Sequence, residues 1–75
     1  MIYNLVRRVM SPDGLQRMNV ESSGALFRFT EDSYFTEDGY SFWTPTHFSG
    51  LYSSADDAEK AAHQELPWLR AGEQR

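Results

Sequence analysis

FTEDSYFTEDGY, residues 29–40, writes nearly the same six residues twice. Phe29-Thr30-Glu31-Asp32-Ser33-Tyr34 is followed directly by Phe35-Thr36-Glu37-Asp38-Gly39-Tyr40. Three readings compete: a metal site, a docking surface, or two turns built by one rule. Glycine decides for the second copy. Thr36-Glu37-Asp38-Gly39 has the layout of Ser11-Pro12-Asp13-Gly14 upstream: a hydroxyl residue, a turn residue, Asp, then Gly. Gly supplies the positive φ that tight connections need. The second copy therefore reads as a hairpin turn, entered by Tyr34-Phe35 and left by residues 40–44. The first copy has Ser33 in place of Gly39 and reads as a bend or bulge. The spacing of six is even, so an unbroken strand shows both copies on one face.

Working outward, residues 2–10 (IYNLVRRVM) form a strand. Apolar residues fall on both parities, which predicts a central or partly covered strand. Pro12 presets a type I turn, and Gly14 completes a turn-plus-bulge connection. Residues 15–21 return, with Met18 and Val20 opposite Leu15, Arg17 and Asn19. Ser22-Ser23-Gly24 turns the chain into a third strand at 25–31, with Phe27 and Phe29 opposite Leu26 and Arg28. Residues 44–52 (TPTHFSGLY) read as a loop, because Pro45 cannot donate to a ladder. Phe48, Leu51 and Tyr52 are expected to pack that loop down.

A helix follows. Ser53 or Ser54 caps it, acids at 56, 57 and 59 suit its positive end, and Pro67 stops it near Leu66. Ala55, Ala58, Ala62, Leu66 and Leu69 make one stripe, small enough to lie close to a sheet. Trp68 and Leu69 are expected to pin its end. The fold class is α+β: an antiparallel β-meander of four to five short strands with one C-terminal α-helix packed on one face (ββββα). Residues 1–70 form a single domain and 71–75 a frayed tail.

Seventy-five residues bury a thin core, and small scaffolds usually need a staple. With no cysteine, disulfides and thiolate metal sites are excluded. Five Phe, four Tyr and two Trp supply the mass of the core, but eleven rings exceed what one thin core absorbs. Some are expected to face solvent or a partner. Residues 1–20 lack the apolar run of a signal peptide, and no stretch is long enough to span a bilayer. A cytoplasmic protein is expected. The net charge of −4 is uneven: +2 over residues 1–28, −7 over 29–65 and +1 over the rest.

No motif carries chemistry. Glu31, Asp32, Glu37 and Asp38 do not follow the ligand order of a calcium loop. His47, His63 and Glu59 leave a zinc shell incomplete. No nucleophile elbow or phosphate-cradling glycine loop is present. The reading is therefore non-catalytic, with no cofactor. Arg7, Arg8, Arg17 and Arg28, interleaved with Tyr3, Phe27 and Phe29, suggest single-stranded nucleic acid, although Arg7 and Arg8 point to opposite faces and the net charge is negative. A basic protein surface is the preferred partner. Its docking site would comprise Glu31, Asp32, Tyr34, Glu37, Asp38, Tyr40, Trp43, Asp56, Asp57 and Glu59, provided the helix start lies near the 37–38 turn. Acids would steer the encounter and rings supply contact. Exposed edges and rings also admit a homodimer beside a monomer. In bulk properties the chain resembles small acidic proteins of phages and mobile elements, including inhibitors of host defence systems.

Overall fold

The computed structural model describes residues 2–73. Four antiparallel strands, β1 (Asn4–Met10), β2 (Gln16–Ser23), β3 (Leu26–Glu37) and β4 (Tyr40–Phe48), lie side by side in chain order. Two helices follow, α1 (Ala55–Glu65) and α2 (Pro67–Glu73), giving the ββββα arrangement.

The two look-alike turns fold differently. In Ser11–Gly14 the Gly14 N–H bonds the Ser11 carbonyl at 3.0 Å, and only Gly14 takes positive φ, +74°. Asp13 ties this turn by accepting the Ser11 hydroxyl at 2.6 Å and the Leu15 N–H at 2.9 Å. Both bonds favour the ionised carboxylate, the hydroxyl bond most, and its pKa falls below the ordinary 3.8. In the second hairpin Glu37 pairs with Tyr40, leaving Asp38 and Gly39 as the two central residues. Both have positive φ, +51° and +82°, as a type I′ turn requires. The first copy of the repeat stays inside β3, and a bulge forms opposite it: Glu31 pairs with His47 and Asp32 with Pro45, so Thr46 is the extra residue.

Pro45 does not end the strand, contrary to the loop reading, because of where its missing donor falls. Phe27 and Phe29 turn their backbone groups toward Tyr52 and Ser49, while the Tyr34 N–H bonds the Leu15 carbonyl on the other side. Odd residues of β3 thus face β4. Their partners Thr44, Phe42 and Tyr40 face inward, and Pro45 faces the free edge, where no ladder bond is lost. Of the three residues expected to pack down, Tyr52 does; Phe48, which ends β4, and Leu51 are exposed. β1 also departs from expectation. Meander order sets it at an edge, and every residue in it except Val9 is exposed.

Ser54 caps α1 by accepting the Asp57 N–H at 3.0 Å. Leu66, held extended before the proline, ends α1. Pro67 then opens α2, a position where its absent N–H costs nothing. The chain therefore carries two helices where one was read, and α2 continues through Glu73 where a frayed tail was expected; residues 74 and 75 lie outside the described residues. Met18, Val20 and Phe29 on the sheet meet Ala58, Ala61, Ala62, Leu66 and Leu69 to form the core. No helix is long and apolar enough to cross a membrane among the described residues.

Candidate docking surface

The helical layer is shorter than the sheet. Eleven residues of α1 span about 16 Å at 1.5 Å per residue, whereas the twelve of β3 span about 40 Å at 3.3 Å per residue. The helix start is tied to one end of β3, because Tyr52 bridges Phe27 with bonds of 2.9 and 2.7 Å just before the cap. The end of α1 and the start of α2 reach the middle of β3: His47, the cross-strand neighbour of Glu31, lies 3.3 Å from Glu65 of α1, and Trp68 Nε1 of α2 donates to Glu31 at 2.7 Å. What remains is an uncovered arm, the β3–β4 hairpin beyond Asp32. On one side Tyr34 meets Trp43 at 5.1 Å between ring centroids; on the other Phe35 meets Phe42 at 6.3 Å. Tyr34, Phe35 and Phe42 are exposed, and Tyr40, beside the turn, is 75% exposed. Glu37 and Asp38 form the exposed tip.

The sequence-read site is divided by this geometry. Tyr34, Glu37, Asp38, Tyr40 and Trp43 come together on the arm. Asp56, Asp57 and Glu59 do not join them: ten residues of β3 lie between Phe27 and Asp38, about 36 Å over eleven steps of 3.3 Å. Asp56 and Glu59 instead hold Arg7 of β1 at 2.9 and 2.8 Å. Glu59 first and Asp56 second keep that guanidinium pKa above its ordinary value. Asp57 is exposed at the far end of the molecule. Glu31 faces the helices, where it accepts from Trp68 and from Thr46 Oγ1, the latter at 2.7 Å. Asp32 faces the other side and accepts Arg17 Nε at 2.8 Å and Asn19 Nδ2 at 2.9 Å. These acids clasp the fold internally. Phe35 and Phe42 belong to the arm and were absent from the sequence-read site. A comparison of strand length with helix length would have exposed them.

The helix-free face closes over itself. Asn19 and Thr30, only 3% and 4% exposed, lie beneath arginines and rings. Asn19 accepts Arg8 Nε at 2.7 Å and donates to Thr30 and Asp32. Arg17 lies 4.1 Å from the Trp43 centroid, and Arg28 lies 3.5 Å from that of Tyr3 while bonding Glu21 at 2.8 Å. Phe27 and Phe29, read beside the arginines, are on the opposite face and in or against the core. Arg7 too faces away, toward α1. No group of three or more His, Cys, Asp or Glu gathers as a metal shell among the described residues. Compared with protein families, curated proteins and solved structures, the chain finds no match.

Proposed function

We propose that the chain is a small, non-catalytic binding protein, an inhibitor or adaptor, that engages a basic protein surface through its β3–β4 arm. The observation that supports this reading is the arm itself: Tyr34, Phe35, Tyr40 and Phe42 stay exposed although the core lacks mass. Rings of this kind are typical anchors of protein interfaces. Glu37 and Asp38 at the tip bring two negative charges with no cation on the arm to offset them. Acids at the rim steer a basic partner and raise its association rate. The revised site is Tyr34, Phe35, Glu37, Asp38, Tyr40, Phe42 and Trp43. A tagged chain carrying Glu37→Lys and Asp38→Lys should lose the basic protein that the unaltered chain retains, with its circular dichroism unchanged. An identical retained set from both chains contradicts the reading.

Single-stranded nucleic acid is the second reading, favoured by the Arg–ring pairs on the helix-free face. Phosphates would compete there with Asp32 and Glu21, and bases with arginines already seated on the rings. Arg17→Ala with Arg28→Ala abolishes oligonucleotide retention under this reading and leaves protein capture intact under the first.

A further inference from the structure

We propose that β1 is a dimerisation edge, at which a second copy of the chain continues the sheet antiparallel. Both free edges of the sheet carry a bulge, and a proline sets them apart. On β4, Pro45 and the bulge at Thr46 interrupt the outward row of donors, a common protection against strand addition. β1 has a bulge of its own at Val6, but its register is regular over residues 7–10 and it holds no proline. The Gln16 carbonyl bonds the Ser11 N–H, so even residues of β2 face β1, and their partners Val9 and Arg7 bond inward. Arg8 and Met10 therefore turn their backbone N–H and C=O outward, with no proline among residues 4–10.

The side chains make the same case. Ile2, Leu5, Val6 and Met10 are exposed along this edge; α1 rests mainly on β2 and β3 and meets β1 at the Arg7 clasp. Neither cation of β1 obstructs the approach. Arg7 is neutralised by Asp56 and Glu59, and Arg8 leans back over the sheet onto Asn19. An aliphatic strand edge without acids suits another aliphatic edge. Closure favours a second copy: Pro45 and the Thr46 bulge leave β4 only the short outward run of Ser41 and Trp43, on the arm, whereas β1 against β1 is a two-fold contact that stops at two chains. Association also supplies what the thin core lacks, in which Met18, Val20 and Phe29 are the largest fully buried side chains. The β3–β4 arms end up at the two outer edges of the dimer, free to act as proposed above, so the two proposals fail independently.

Sedimentation equilibrium of the intact chain across a wide concentration range tests it. The expected mass approaches twice 8.7 kDa as concentration rises. Met10→Pro, which removes an outward donor and no intrachain ladder bond, should return it to 8.7 kDa, while Ser41→Pro on the outward side of β4 should leave the dimer intact. Amide exchange of the unaltered chain gives a readout that needs no variant: the Arg8 and Met10 amides should become protected as concentration rises. A monomer at every concentration, a dimer that survives Met10→Pro, or a dimer whose Arg8 and Met10 amides exchange freely overturns the proposal.

Discussion

Asn19 shows what one residue does here. It links Arg8, Thr30 and Asp32 across three strands while almost wholly buried. Replacing it with alanine takes this donor from buried Thr30, while exposed Arg8 turns to water and Asp32 keeps Arg17, so the loss is about 1–3 kcal/mol for the one buried group. Urea unfolding of Asn19→Ala should show a midpoint shift of that size with an unchanged slope. Asp13 makes a pH-dependent contribution. Its folded pKa lies below the ordinary 3.8, so its support of the first hairpin is complete above that value and fades as pH falls through the depressed one. Carboxyl NMR titration should place its midpoint below 3.8, and Asp13→Asn should remove that part of the acid sensitivity. Parity grouped Met18 with Val20 and Phe27 with Phe29, each on its own strand, from sequence alone; that both pairs face the helix follows from the register. Parity could not tell that Asp32 and Glu31 would be spent on Arg17 and Trp68, because those pairings depend on which strands and helices become neighbours.

At the scale of elements, local chemistry was the most legible. Ser54, Pro67 and the glycine turns each act through a few adjacent residues, and each did what its type dictates. Pro45 misled because its effect depends on which way its nitrogen faces, a property of register and not of the residue. The edge position of β1 was hidden for a related reason: apolar residues on both parities describe a strand buried between layers and a strand awaiting a partner equally well. Ser54→Ala should cost about 1 kcal/mol, read as a lower thermal midpoint. The arm predicts a contrast. Phe42→Thr removes an exposed ring and a cross-strand contact, so it should cost less than about 1 kcal/mol. Phe29→Ala empties the core and should cost about 3–5 kcal/mol. If Phe42 and Phe29 proved equally important to stability, the arm would be a structural element and its rings would need no partner.

The whole molecule is 40 × 35 × 16 Å, a thin plate whose long dimension is set by β3 and β4. Its net charge of −4 conceals an internal division of labour. Acids of α1 and the strand centres neutralise arginines within the fold, whereas the pair at the arm tip forms no ion pair among the described residues. Sequence alone counted charges by segment and joined the helix start to the hairpin turn; the length of β3 separates them. The steering charge is thus local to the tip, and raising salt should slow association with a basic partner while altering dissociation little. The most direct measurement compares the proteins retained from lysate by the unaltered chain and by the Glu37→Lys, Asp38→Lys chain, in matched salt and with nuclease present. A basic protein held by the first, absent from the second and released by salt is the predicted result. Equal retention by both chains would contradict it.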